Sequence, residues 1–170
     1  MDYNKIDYLF FDFMYLTVHG ASGILIGSQV GNPWLAFLIG FISHFVLDII
    51  PHDSKELKEW YDIGKTLNKF TIIVIIDILI MIILGIVLSV WYNLVFTPAI
   101  IWGITGTLLP DFIWGGRELF KIKNAMLDKY EQLHFWSHKI FYKKIYLPLK
   151  YTIPIQLGSL VLFIILYLLL

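Results

Sequence analysis

Histidine and aspartate are the residues of this sequence whose spacing is suited to metal chemistry, because the chain contains no cysteine. His44 and Asp48 are four residues apart, which places both side chains on one face of a helix, with His52 a further turn along. His134 and His138 repeat this four-residue spacing. Imidazole and carboxylate ligands without thiolates favour zinc, with manganese or iron as other options.

The composition predicts an integral membrane protein. Of the 170 residues, 58% are hydrophobic and 15% are charged, against about 25% charged residues in a typical soluble protein. The mean hydropathy is +0.74. The formal net charge is zero, and no basic tract indicates nucleic acid as a partner. A water-soluble domain is therefore disfavoured.

Long apolar runs predict an all-α fold, a polytopic membrane bundle of about five spans in a single domain covering residues 1–170. The predicted spans are about 8–30, 33–50, 70–96, 97–115 and 151–170. Gly31-Asn32-Pro33 predicts a tight turn between the first two spans. Small residues in the first span suit close packing of helices in lipid; these are Gly20, Ala21, Ser22, Gly23 and Gly27.

The charges predict how the bundle is oriented. With these spans, all 13 Lys and Arg residues fall on the side of the N-terminus, in the first residues, in the loop 52–69 and in the stretch 116–150. The positive-inside rule makes this side cytoplasmic, in a plasma (inner) membrane protein. Lysines and aromatic residues alternate in 116–150, which is typical of amphipathic helices in the headgroup region. Membrane lipid, including anionic headgroups, is the predicted partner; the oligomeric state stays open.

Six histidines and aspartates within the predicted spans or at their ends all lie in the cytoplasmic half of the bilayer, when their depth is counted at about 1.5 Å per residue. They are His19, His44, Asp48, His52, Asp77 and Asp111. Burying one charged group in lipid costs about 2.5–3.5 kcal/mol on insertion scales. A divalent cation shared by imidazoles and carboxylates offsets that cost.

These positions predict a metal centre with surrounding catalytic groups. The expected catalytic groups, acting as a general base or orienting a ligand, are His52, Asp53 and Asp77. The expected metal ligands are His19, His44, Asp48 and Asp111, completed by His134 or His138.

Structural alternatives stay open for several of these residues. They are helix packing for His19, a tyrosine or histidine partner for Asp77, loop capping for His52 and Asp53, and simple solvent exposure for His134 and His138.

The order of these residues resembles the small membrane-bound metal-dependent hydrolases associated with inner membranes. The segments that carry the resemblance are His19-Gly20, Ser43-His44 with Asp48, Pro51-His52-Asp53, Asp77, Leu109-Pro110-Asp111 and the pair His134/His138. The resemblance implies a metal-dependent hydrolase. Members often carry further acids after the Pro-Asp, whereas Phe112-Ile113-Trp114 follows here, which argues against a complete two-metal site. The residue order is also similar to phosphohydrolases and zinc-dependent phospholipases C, which implies a phosphoester substrate.

The favoured function is a metal-dependent membrane hydrolase, acting at the cytoplasmic leaflet on a lipid or lipid-linked phosphoester through a metal-activated water. One alternative is a metal-ion or proton transporter, although the outer half of the bundle offers no ionisable residue to continue a path. The other alternative is a non-catalytic membrane adaptor with a structural metal site.

Overall fold

The computed structural model describes residues 15–52, 54, 56, 69–120, 122–137 and 147–170. These residues form helices and no strand, apart from one isolated bridge between Ser54 and Leu147. The predicted all-α fold is confirmed. The helices are α1 (Leu16–Val30), α2 (Pro33–Leu47), α3 (Lys69–Tyr92), α4 (Pro98–Leu119), α5 (Ala125–Ser137) and α6 (Leu149–Leu169).

Two of the described helices have the length and apolar composition needed to cross a membrane. They are Ile72–Tyr92, within α3, and Leu149–Leu169, which is α6. Both helices leave most of their apolar side chains exposed on the outside of the molecule, as expected of surfaces that face lipid. The other three predicted spans correspond to α1, α2 and α4.

The helix α1 lies at the centre of the molecule and packs against α2, α3, α4 and α6. It joins α2 through the predicted tight turn. Gly31 takes a left-handed conformation with φ of 68°, which glycine adopts without steric cost. The Asn32 side chain accepts a hydrogen bond of 3.1 Å from the backbone N–H of Leu35, and Pro33 occupies the first position of α2. The start of α1 and the end of α2 therefore lie at the same end of the bundle.

Glycines allow the backbones of α1, α2 and α4 to touch. A methyl group added at Gly23 would lie 2.6 Å from the Cα of Ile104, and one added at Gly40 would lie 2.6 Å from the carbonyl oxygen of Gly103. Gly27 on α1 meets the backbone of Ile100 even more closely. Gly23 and Gly27 form the small-residue pattern that brings membrane helices together, which confirms the packing role predicted for them.

Candidate metal centre

Five ionisable side chains from four helices meet at the end of the bundle where α1 begins and α2 ends. Three are the histidines on α1, α2 and α5, and two are aspartates at the end of α2 and within α4. We call this group the five-residue cluster; its members are His19, His44, Asp48, Asp111 and His134. The sequence predicted each of them as a metal ligand.

Asp48 connects the three histidines. Its Oδ1 lies 3.3 Å from Nε2 of His19, and its Oδ2 lies 3.0 Å from Nε2 of His44 and 3.7 Å from Nε2 of His134. Asp111 approaches the same three histidines. Its Oδ1 lies 3.7 Å from Nε2 of His44 and 3.6 Å from Nε2 of His134, and its Oδ2 lies 4.0 Å from Nε2 of His19. All three imidazoles thus present Nε2 to the same small volume.

Burial separates Asp111 from the other members of the cluster. The side chains of His19 and His44 are 0% exposed, that of His134 is 1% exposed and that of Asp48 is 2% exposed. The Asp111 side chain is 14% exposed. The cluster is therefore enclosed on most sides and reaches the surface beside Asp111.

The hydrogen bonding of His44 shows that the cluster needs positive charge. Its Nδ1 lies 2.8 Å from the carbonyl oxygen of Thr107, and since a carbonyl can only accept, Nδ1 donates. A neutral imidazole then carries a lone pair on Nε2. This lone pair faces both the Asp48 carboxylate and Nε2 of His134, at 3.1 Å from the latter. The approach of His134 is favourable when its Nε2 carries the hydrogen, whereas the approach of the Asp48 carboxylate requires a cation or a proton on His44.

The spacing of the donor atoms fits a single cation. Ligands about 2.1 Å from one ion stand about 3.0–3.4 Å apart at neighbouring positions in octahedral or tetrahedral geometry. The closest pairs, from 3.0 to 3.3 Å, lie in this range, and the others are slightly longer. Two ligand triads share His44, namely His19 with Asp111 and Asp48 with His134. Because one Nε2 lone pair serves one ion, the described residues could hold one metal ion through all five side chains.

Contacts between α4 and α5 bring His134 into the cluster. Arg117 on α4 donates to Glu131 at 3.1 Å and to Asp128 at 2.6 Å. The hydroxyl of Tyr130 donates to the carbonyl oxygen of Pro110 at 2.9 Å, and its ring stacks on His134 with centroids 6.1 Å apart. Burial raises the pKa of Tyr130, and the carboxylates of the cluster raise it further, so the hydroxyl stays a donor at neutral pH.

Asp77 lies in a second polar region, which we call the α1 cap. Its Oδ1 accepts hydrogen bonds from the backbone N–H of Thr17, at 3.3 Å, and from the Thr17 hydroxyl. At the same helix end, the backbone N–H of Tyr15 donates to Oε1 of Gln156 at 2.6 Å. Side chains of α3 and α6 thereby satisfy the free N–H groups at the start of α1, which has no capping side chain of its own.

Two of the remaining predicted residues, His52 and Asp77, lie outside the five-residue cluster. His52 follows α2, with its ring buried and Nδ1 donating to the carbonyl oxygen of Ile50, and it is not part of the five-residue cluster. Asp53 and His138 lie outside the described residues. Asp77 belongs to the α1 cap and not to the cluster. The catalytic roles of His52, Asp53 and Asp77, and the metal-ligating role of His138, stay predictions.

Sequence reasoning did not find the residues that orient the cluster. The acceptor for His44 is the main-chain oxygen of Thr107, which has no signature in a sequence. Tyr130 precedes His134 by one helical turn, and this aromatic–histidine spacing is the one signal that points to it.

No protein-family model, curated protein or solved structure matches this chain. The geometry of the cluster is thus the main support for the functional proposal that follows.

Proposed function

We propose that this protein is a metal-dependent hydrolase of the membrane that acts on a lipid or lipid-linked phosphoester at the cytoplasmic leaflet. The observation that carries the proposal is the convergence of three imidazole Nε2 atoms and two carboxylates within a largely apolar bundle. Burying ionisable side chains within a membrane bundle costs free energy, so side chains of this kind mark functional sites. The resemblance to small membrane-bound metal-dependent hydrolases supports the same class of activity.

The proposal includes five membrane spans, formed by α1, α2, α3, α4 and α6. Besides the two helices that are long and apolar enough, α2 and α4 expose large apolar side chains, including Leu38, Ile42, Ile101 and Phe112. The central helix α1 is sheltered by its neighbours. With five spans, every Lys and Arg lies on the side of the N-terminus, which the positive-inside rule makes cytoplasmic. The cluster then lies near the cytoplasmic surface.

In this proposal the five-residue cluster holds one divalent cation, with zinc favoured and manganese or iron as alternatives. The cation would supply Lewis-acid polarisation of a phosphoryl oxygen and a water whose pKa is lowered toward neutrality. Asp48 anchors the three histidines, and the hydrogen bond from His44 to Thr107 fixes the tautomer that presents Nε2.

Asp111 is suited to a second task besides ligation. It is the most exposed member of the cluster, and its Oδ2 has no hydrogen-bond partner among the described residues. This oxygen is itself buried, so it can accept a proton only from a water that has entered the cluster. Exposed lysines on and before α5, Lys129 and Lys123, favour approach of an anionic headgroup to the same side.

The proposal is tested by metal analysis and hydrolysis assays on the full chain purified in detergent. We expect about one zinc, manganese or iron per chain, as a single cation site requires. Lipid phosphomonoesters and phosphodiesters in mixed micelles are the substrates, and release of phosphate or of the phosphorylated headgroup is the readout. His44→Ala is expected to lose the metal and at least about 100-fold in activity. Ser43→Ala is expected to retain both, because among the described residues the Ser43 hydroxyl bonds the carbonyl oxygen of Gly40 in its own helix.

The possible outcomes separate the hydrolase from its alternatives. Wild-type protein that neither contains a metal nor takes one up would contradict the metal centre. Protein that binds the metal but hydrolyses none of these phosphoesters would contradict the hydrolase and favour a structural metal. Metal flux into proteoliposomes that requires Asp77 would instead support a transporter.

A further inference from the structure

A cleft between α1, α3 and α6 combines an apolar wall with a polar end. Its volume is about 360 Å³, within the range of pockets that bind small ligands. The walls are apolar side chains such as Ile76, Ile80, Leu157 and Leu160. In a membrane this wall faces acyl chains, and apolar contact alone would make the cleft an unspecific lipid surface.

The polar end of the cleft carries two hydrogen-bonding atoms that the α1 cap does not use. Asp77 and Gln156 both line the cleft and are 5% and 1% exposed. One oxygen of each side chain accepts a hydrogen bond from a backbone N–H at the start of α1. The Oδ2 of Asp77 and the Nε2 of Gln156 are buried and have no hydrogen-bond partner among the described residues. Buried groups left in this state are costly, so a ligand that satisfies both atoms is favoured here.

The two free atoms determine the chemistry of that ligand. The carboxylate oxygen of Asp77 needs a donor, and the amide nitrogen of Gln156 needs an acceptor. A hydroxyl group supplies both functions through a single oxygen. An ionised phosphate or carboxylate offers only acceptors and is repelled by Asp77, whereas an ammonium offers only donors and leaves Gln156 unsatisfied.

We propose that this cleft binds a membrane-resident, long-chain lipid alcohol, with its neutral hydroxyl between Asp77 and Gln156 and its chain along α3 and α6. This site is distinct from the five-residue cluster. Its occupancy does not depend on whether the cluster binds a metal, so the two proposals can fail independently.

The test uses the full chain in phosphatidylcholine nanodiscs and three photoreactive probes with the same chain. Each probe carries a diazirine at the end of the chain and differs only in its headgroup, which is a hydroxyl, a carboxylate or a phosphate. Crosslinked residues are identified by mass spectrometry. We expect the alcohol to label the far end of the cleft, around Ile80 and Leu160, about tenfold more than the two anions, which corresponds to one well-placed hydrogen bond to a charged group.

Asp77→Asn tests the headgroup preference. The asparagine keeps an oxygen for Thr17 and replaces the free acceptor with a donor. We expect the preference to move toward the carboxylate probe, because both free atoms of the polar end would then be donors. Labelling that is equal for the three headgroups in wild-type protein would overturn the proposal.

A second pair of variants avoids any change to the α1 cap. Leu157 lines the cleft and Leu162 does not, although they lie on the same helix and are 52% and 53% exposed. Leu157→Trp is expected to fill the cleft and to reduce labelling by the alcohol about tenfold, to the level of the anionic probes. Leu162→Trp is expected to leave labelling unchanged. Equal labelling of both variants at the wild-type level would also contradict the proposal.

Discussion

The two polar regions of this molecule bury carboxylates in the same bundle but satisfy them differently. In the α1 cap, Asp77 accepts hydrogen bonds from the start of a helix, where backbone N–H groups and the helix dipole favour negative charge. In the five-residue cluster, Asp48 and Asp111 face imidazole nitrogens. The cap has donors for one oxygen of its carboxylate built into the fold, whereas the cluster needs added positive charge.

This difference shows that burial of an aspartate is not enough to indicate a metal site. Depth counted along the predicted spans places Asp77 and His44 at similar distances from the cytoplasmic surface. The groups that contact their side chains nevertheless differ in chemical type. What distinguishes the cluster is that acceptor atoms, the Nε2 of His44 and the carboxylate of Asp48, point at each other. The predictions that follow test whether this distinction holds.

Asp48→Asn is expected to have the largest effect. The substitution preserves the shape of the side chain that contacts all three histidines but removes its charge. We expect metal affinity to fall at least about 100-fold, or about 2.7 kcal/mol, measured by competition with a chelator. Asp77→Asn is the control, because Asp77 is also a buried aspartate of the bundle but belongs to the α1 cap. An affinity equal to that of the wild type would remove Asp48 from the ligand set.

Removal of the metal is expected to lower the unfolding free energy of the wild type by about 2.7 kcal/mol, relative to protein with the metal at 100 times its Kd. Chemical unfolding in detergent with and without chelator measures this difference. Thr17→Val, which changes only the α1 cap, should show the same chelator effect, and Asp48→Asn should show little. A chelator effect that Thr17→Val abolishes would contradict the separation of the two regions.

Thr17→Val itself is expected to destabilise the protein by about 1–2 kcal/mol without changing its metal content. The hydroxyl of Thr17 donates to the buried Asp77, and hydrogen bonds to charged groups are worth more than neutral ones. Thr105→Val is the matched control, because the Thr105 hydroxyl is exposed and bonds only the carbonyl oxygen of Ile101 in its own helix. Loss of metal in Thr17→Val would show that the cap and the cluster are one site.

Tyr130→Phe is expected to have the smallest effect, about 1 kcal/mol at neutral pH, through loss of the hydrogen bond to Pro110. Its pH dependence is more informative. Because burial in the folded protein raises the pKa of Tyr130 above the ordinary tyrosine value of about 10, the unfolded chain loses its proton first as pH rises. Stability contributed by this group is therefore lost above about pH 10. The free energy of unfolding, measured from neutral to alkaline pH, should fall less steeply with pH in Tyr130→Phe than in the wild type. Identical slopes would contradict this assignment.

Local patterns predicted the parts of the structure that depend on local chemistry. Gly31, Asn32 and Pro33 predicted the turn between α1 and α2, because each residue type suits its position there. The four-residue spacing of His44 and Asp48 predicted that both would face one point, since helical geometry fixes the relation between neighbouring turns. The sequence therefore predicted which side chains the fold brings together, although not whether they bind a metal.

Contacts between distant segments were not predictable in the same way. The hydrogen bonds that join Asp77 to Thr17, and Gln156 to Tyr15, connect positions 60 and 141 residues apart. The orientation of α5, and with it the entry of His134, depends on the pairing of Arg117 with Asp128 and Glu131. Tertiary packing determines these contacts, and a single sequence carries no periodic signal for them.

The distribution of the cluster along the chain has a consequence for biosynthesis. The α1–α2 hairpin emerges from the ribosome first and offers His19, His44 and Asp48, while Asp111 and His134 follow on α4 and α5. An ion captured early would have an incomplete coordination sphere, and tight retention becomes available only after α5 has docked. For the proposed metal centre, stable metal binding would therefore report on the completion of folding.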